Sequence, residues 1–539
     1  MKMRFLAALP LAFVAGCDSL TNPSSDWEAK RAAMVNRKRE VIYSTDGCDA
    51  LYYPTNRPAT KADFIDLRLK YTKGSKIDTV YYTPQAAGFC HLIYDTVAGD
   101  VLTNDATSFI PASYNVTRDL LAQGTSPVKI AEEYCKAEGL EFFVTLRMND
   151  THDAGKPLSF LYPKFKEEHP EFLFGQPYTK VPYGAWSAVD FAHPEVRRRL
   201  VNVVAEICEK FDVDGVDLDF FRHLHVFKTV AFGADAATPK EVAVITGMMR
   251  EIRAATEKAG HKRGRPVLLS VRVPDSIEYS RAIGLDWEEW MREHLIDMIA
   301  TTGYFQQKQW PESIGLAHKY GVKHYASMDE SRIERHCKGA KQPLPVIAGR
   351  NSPESYHGRT AAALASGSDG ILYFNLEGKK LNETTCGNMK DLDGAEKLYF
   401  AVERGMGGYR PEHYLKDGYV KYNEMPDLDP GRGGKKVNFG EEYVFDMMVG
   451  DDTAKIPVGE KTHVLAKVLA NSAADVPVKL TVNGRAVPAA GRDKENAVSF
   501  DVPADAIKFG SNRIGITAGD AARKGGAAIL DFCLRVSYQ

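Results

Sequence analysis

Cysteine is sparse and scattered in this chain: its eight residues form no CxxC pair and no spacing of zinc-ligand type, which argues against structural zinc and thioredoxin-like redox chemistry. Positive charge is not in excess either. Lys and Arg total 69 against 71 Asp and Glu, and no sustained basic face appears, so no nucleic-acid partner is expected. No short-period repeat is present, which removes solenoids and propellers, and the last hundred residues hold no tryptophan. The hydrophobic content of 44 % and charged content of 26 % exclude a disordered chain, and 539 residues suffice for more than one domain.

The one long apolar run is N-terminal. Lys2 and Arg4 precede Phe5 to Ala15, and Val14-Ala15-Gly16-Cys17 follows. The run is too short to span a bilayer as a mature helix, and its order of charge, apolar core and small residues is that of an export signal. The four residues ending in Cys17 resemble a bacterial lipobox, which implies cleavage before Cys17 and lipidation of that residue. Residues 1–17 then read as a signal peptide and 18–39 as a tether and lead-in, giving an exported protein anchored in the cell envelope. Asp18 resembles an inner-membrane retention signal, and which membrane stays open. The other seven cysteines (Cys48, Cys90, Cys135, Cys208, Cys337, Cys386 and Cys533) are odd in number and read mostly as buried apolar residues. A Cys337 to Cys386 bridge is left open.

Residues 40–424 alternate short apolar strands with amphipathic stretches, the order that builds a parallel sheet covered by helices. Eight strands are expected: Val41–Asp46, Thr79–Thr83, Phe142–Asn149, Gly215–Phe221, Val267–Val273, Asp297–Tyr304, His324–Asp329 and Gly370–Glu377. Helices include Glu195–Phe211, whose Val196, Leu200, Val203, Val204, Ile207 and Phe211 share a face, and Val242–Ala259. Eight such units predict a (β/α)8 barrel, an α/β fold. The Pro/Gly-rich residues 425–436 read as a linker. Beyond it, 437–539 carry the short alternating strands Val464–Val468, Val478–Val482, Ala497–Val502, Arg513–Thr517 and Ile529–Ser537, with a hairpin signal at Asn483-Gly484. A C-terminal β-sandwich without sugar-stacking tryptophans is expected there, as an accessory module.

The strand Val213-Asp214-Gly215-Val216-Asp217-Leu218-Asp219-Phe220-Phe221-Arg222-His223 carries the strongest chemical signal. Alternation puts Val216, Leu218 and Phe220 on one face and Asp217 and Asp219 on the other. Two adjacent carboxylates in a buried strand must face a polar cavity, pair with cations, or act on a substrate. The same parity applied elsewhere groups Thr145, Arg147 and Asn149; Ser270 and Arg272; Ser44 and Asp46; and Tyr373, Asn375 and Glu377. Polar groups gathered at the C-terminal ends of strands define the working mouth of such a barrel.

Glycosidic cleavage requires a proton donor and a second carboxylate that attacks the anomeric carbon or activates water. Asp219 is the first candidate, coupled to Asp217, and its partner is sought in Glu377 or Glu330. Substrate contacts are expected from Asp46, Arg147, Arg222, His223, Arg272 and Asn375, and from the loop Asn149-Asp150-Thr151-His152-Asp153. Trp186, Tyr304, Phe305 and Trp310 are candidates for stacking on sugar rings. Asp150, His152 and Asp153 form a weak metal set with no second cluster in support, so neither metal nor cofactor is expected.

Leu146 to Asp153, Asp214 to His223 and Leu269 to Pro274 together resemble a bacterial group of family-10-like glycoside hydrolases over roughly residues 40–400. The resemblance implies a barrel that cleaves a poly- or oligosaccharide. Asp-Gly-Val-Asp-Leu-Asp-Phe-Phe is also similar to the chitinase DxxDxDxE motif, with Phe221 in place of the proton-donating glutamate. It is similar too to the α-amylase nucleophile strand at Asp219, Arg222 and His223, with Asp217 in place of that family's arginine. A catalytically silent saccharide-binding lipoprotein is the alternative, since Phe221 removes one donor.

Overall fold

The structure is a computed structural model that describes residues 25–104, 112–155, 160–329, 346–376, 384–402, 410–453, 462–471, 476–493, 496–522 and 524–538. Eight parallel strands close a barrel: β1 Val41–Ser44, β2 Thr79–Tyr82, β3 Glu141–Arg147, β4 Gly215–Asp219, β5 Leu268–Val273, β6 Met298–Thr301, β7 Lys323–Asp329 and β8 Gly370–Phe374. Each is a strand read from the sequence, trimmed by up to three residues at its C-terminal end. The trimming has a physical cause, because beyond the last ladder bond the chain turns into the mouth.

Helices cover the barrel between strands: α2 Lys61–Arg68, α3 Pro127–Glu138, α4 Pro194–Lys210, α5 Pro239–Arg263, α6 Trp287–Arg292, α7 Trp310–Lys319 and α8 Pro353–Ala365, preceded by α1 Ser25–Val35. In α4 the expected stripe of Val196, Leu200, Val203, Val204 and Ile207 is buried. In α5 Thr238 and Glu241 form a reciprocal capping box, and Gly264 ends the helix at φ +74°, a left-handed conformation that glycine adopts without strain.

The lumen is graded along its axis. At the N-terminal ends of the strands Ile42, Tyr81, Phe143, Leu268, Met298, Tyr325 and Leu372 form an apolar layer, against which Met34 and Val35 at the end of α1 pack. Beneath it Arg39, on the way into β1, makes two bonds to Glu141, Nε to Oε2 at 2.6 Å and Nη2 to Oε1 at 2.7 Å. Above it register sets the layers: Thr145, Asp217 and Ser270 lie side by side on β3, β4 and β5, and Arg147, Asp219 and Arg272 lie one step nearer the mouth.

One parity assignment is corrected. Tyr373 faces the helices, where its hydroxyl meets Thr360 at 2.8 Å, while Leu372 and Phe374 face the lumen. Strand β8 pairs Phe374 with Ser44 on one side and Asp329 on the other. This fixes the phase that the amphipathic tyrosine disguised.

The C-terminal region is a β-sandwich of two antiparallel sheets. One contains β9 Lys397–Phe400, β10 Lys435–Asn438, β12 Thr462–Asn471, β15 Ala489–Arg492, β16 Val498–Val502 and β18 Gly526–Tyr538. The other runs β11 Glu442–Val449, β17 Gly510–Ala518, β13 Val478–Val482 and β14 Arg485–Val487. Asn483 (φ +51°) and Gly484 (φ +80°) turn β13 into β14 as the dipeptide predicts. Strand β9 lies before residues 425–436 in sequence, yet it pairs with β18. The barrel and sandwich are therefore not separable by one cut in the linker, which itself contributes Lys435 and Lys436 to β10. Cys90, Cys135, Cys208 and Cys386 are buried free thiols, and Cys337 lies outside the described residues.

Candidate active site

Strands β3, β4 and β5 end on alternating charge because their parallel register aligns Arg147, Asp219 and Arg272. Arg272 is almost completely buried and holds two carboxylates. Its Nε meets Asp219 Oδ1 at 3.1 Å, and its Nη1 meets Asp329 Oδ1, at the end of β7, at 3.5 Å. The guanidinium lies over the ring of Phe374, 4.6 Å from its centroid, a face that attracts cations.

The two carboxylates differ in surroundings. Asp219 also accepts the backbone N–H of Arg222 at 3.0 Å. Asp329 Oδ2 is buried with no hydrogen-bond partner among the described residues. Burial pushes the Asp329 carboxyl up against the pull of Arg272, with Asp219 adding to the rise. One step deeper, burial and the neighbouring Asp219 push Asp217 up to about 7, and its Oδ1 also has no partner among the described residues.

At the rim, Asp46 Oδ1 receives Arg147 Nη2 at 2.7 Å and Arg222 Nη2 at 3.3 Å. Arg222 lies between the rings of Phe374 and Tyr304, 5.3 and 5.6 Å from their centroids. The turn that aims it includes His223 at φ +70°, a strained geometry of the kind found at functional sites. His152 Nδ1 sits 2.9 Å from both oxygens of Asp150, and its Nε2 lies 3.3 Å from Arg222 Nη2. Because arginine only donates, Nε2 is the accepting nitrogen towards Arg222 and Nδ1 carries the proton that faces Asp150. Its side chain is 32 % exposed, whereas Asp150 is completely buried, so the acid orients a ring that remains open to the mouth. Burial opposes ionisation of Asp150, but His152, His223 and Arg147 hold it well below the usual carboxylate range.

Asp150, His152 and His223 bring one potential ligand atom each within 4.8 Å of one another. These donors are already engaged: Asp150 with Arg147 at 3.2 Å and the N–H of Gly88 at 3.2 Å, and His223 Nδ1 with the N–H of Thr151 at 2.9 Å. A cation at His152 Nε2 would have to displace Arg222, so the set suits hydrogen bonding better than metal binding.

Other sequence candidates fall elsewhere. Asn149 donates to the carbonyls of Val189 and His225 and accepts the N–H of Val189, and Asp153 pairs with buried Lys166 at 2.6 Å and accepts from Ser187. Both hold the loop rather than face the mouth. Trp186 packs beside Tyr162 and Tyr178 and donates to the carbonyl of Ala154. Phe305 packs on Phe221, and Trp310 lies edge-on to His324. Asn375, at φ +59°, follows the end of β8 and is half-buried. Phe221 is buried beside Gly303 and Arg272, with no carboxyl to offer. Glu330 and Glu377 lie outside the described residues. Asp329 escaped the sequence reading although it ends an expected strand. Its signal was the polar parity of Ser327 and Asp329, overshadowed by the adjacent glutamate.

These features define a (β/α)8 barrel with a buried, unequal carboxylate pair at its C-terminal mouth. No family model matches the chain, and no curated protein matches it. Among solved structures it is similar to an α-L-fucosidase isoenzyme from Paenibacillus thiaminolyticus at 12 % identity, over 66 % of this chain and 48 % of that one, with a TM-score of 0.35. A family-36 α-galactosidase from Geobacillus stearothermophilus, in complex with stachyose, is 11 % identical over 91 % and 58 % of the two chains, with a TM-score of 0.35. A family-18 N-acetylglucosaminidase from Paenibacillus barengoltzii is 11 % identical over 62 % and 94 %, with a TM-score of 0.34. The chain thus spans about half the length of the first two.

Proposed function

We propose that the protein is an exported glycoside hydrolase in which Asp219 is the nucleophile or base and Asp329 donates the proton to the leaving oxygen. The observation that supports it is Arg272, which bridges two carboxylates of unequal environment at the mouth. A shared guanidinium keeps them within the upper bound of the separation used by acid and base in glycosidases. Burial and the neighbouring Asp219 raise the proton affinity of Asp329, which suits an acid set beside a second carboxylate. Asp217 modulates the pair from below. Asp46, Arg222 and His152 line the rim where saccharide hydroxyls meet charged donors and acceptors.

In this reading Cys17 carries a lipid that tethers the enzyme to the cell envelope, and the substrate is a poly- or oligosaccharide. Asp219→Asn and Asp329→Asn are tested on a saccharide panel, beside Glu330→Gln and Glu377→Gln. Loss of turnover in both aspartate variants, with saccharide binding retained, supports the pair. A wild-type protein that binds saccharide but cleaves no member of the panel would be a silent binding protein instead.

A further inference from the structure

Helix α1 places the chain's point of attachment at the end of the barrel opposite the mouth. The ring of Trp27 stacks on His261 at 3.9 Å and its Nε1 donates to Glu257 at 3.0 Å. Arg31 pairs with Asp297 at 3.2 Å, and Met34 and Val35 close the lumen floor. These partners belong to the C-terminal end of α5 and to the N-terminal ends of the strands. We infer that the protein is held with its barrel floor against an anionic membrane surface and its mouth turned away, an inference that rests on the reading of Cys17 as lipidated.

Reach supplies the first argument. Seven residues, Asp18 to Ser24, separate Cys17 from α1, and fully extended they span at most about 25 Å. A folded chain of this length has a radius of gyration near 24 Å, so a tether rooted at the floor cannot let the mouth swing round onto the bilayer. Charge supplies the second argument. Around the root, Lys30, Arg37 and Lys38 are exposed on or just after α1, and Lys258 and Lys262 at the end of α5. Asp26 pairs with Lys30 and Glu40 with Lys38, and Glu28 is an exposed carboxylate on α1. Lys258 and Lys262 have no acidic partner among the described residues, leaving basic groups to face anionic headgroups, which attract them within a Debye length.

The test uses the full-length lipoprotein in vesicles of phosphatidylethanolamine and phosphatidylglycerol that contain a headgroup-linked quencher. A fluorophore is attached at Lys262→Cys on the floor, or at Lys180→Cys in the exposed loop beyond the C-terminal end of β3. The inference expects the floor probe to be quenched several-fold more than the mouth probe, and Lys258→Glu combined with Lys30→Glu to reduce that contrast. Equal quenching, or stronger quenching at Lys180→Cys, would overturn it. The anchor itself is read separately, by the mass of the mature N-terminus. A wild-type chain without lipid on Cys17 would refute the anchoring and the orientation with it, whereas a lipidated chain with equal quenching refutes the orientation alone.

Discussion

The floor and mouth of the barrel contain the same ingredients, buried arginines and carboxylates, arranged to opposite ends. At the floor Arg39 is matched to Glu141 through two bonds and gives its remaining donors to the carbonyls of Met34, Val35 and Arg37. Asp297 is likewise held by Arg253 at 2.9 Å and by the N–H of Leu269 at 2.7 Å. At the mouth, Asp217 Oδ1, Asp329 Oδ2 and Arg272 Nη2 are buried without hydrogen-bond partners among the described residues. A buried polar group left unsatisfied costs free energy, and such cost is retained where a substrate is to be met. Floor arginines also keep spare donors, since Arg253 Nε and Nη2 are buried without partners among the described residues, so it is the satisfaction of the carboxylates, more than charge, that separates the two ends.

That contrast can be broken by substitution. The largest effect is expected from Asp219→Asn and Asp329→Asn, each lowering turnover by roughly 10²–10⁴-fold, the scale of one acid or base, and Asp219→Asn should also lower the melting temperature because it takes a counter-charge from buried Arg272. If either variant keeps near-normal turnover, its carboxylate has no place in the pair. Next, Glu141→Ala at the floor leaves Arg39 buried without its counter-charge and should cost about 3–5 kcal/mol of stability. Activity per folded molecule should not change, and a loss of activity at unchanged stability would erase the distinction between the ends.

Asp217 gives a pH test. Its folded value of about 7 lies above that of an unfolded aspartate, so the folded state binds the proton more tightly. Its contribution to stability is complete below about pH 4 and is lost as pH rises towards 7, by up to about 4 kcal/mol. Asp217→Asn should therefore stabilise the protein at pH 8, leave it unaltered near pH 4, and shift the pH–rate profile of the coupled carboxylates. Parallel melting curves for variant and wild type across that range would contradict the burial argument.

The smallest effect concerns the sandwich. A methyl on Gly450 would meet the carbonyl oxygen of Ala361 in α8 at 2.5 Å, so Gly450→Ala should cost about 1–3 kcal/mol while leaving turnover intact. A fall in turnover at unchanged stability would give the sandwich a share in the chemistry.

The eight barrel strands were legible because a period-two pattern bounded by turn residues is local information, and α5 was legible as Val242–Ala259, inside the capped ends Thr238 and Gly264 that the structure shows. The sandwich was less legible. Strand β9 is four residues long and pairs with β18 more than a hundred residues away, and β15, the short Ala489–Arg492, is exposed along its length, so neither carries an alternating pattern of its own. At the site, parity brought forward Asp217, Asp219, Arg147 and Arg272. It misplaced Tyr373, since an aromatic hydroxyl satisfies either face.

By itself the sequence determined which strands exist and that charge would collect at their C-terminal ends, because alternation and chain order are properties of neighbours along the chain. Only the tertiary structure decided that Arg272 joins Asp219 to Asp329, that Asn149 and Asp153 serve the loop, and that α1 closes the floor. Those outcomes depend on barrel closure and inter-strand register, which bring together residues whose separation in sequence carries no trace of their contact.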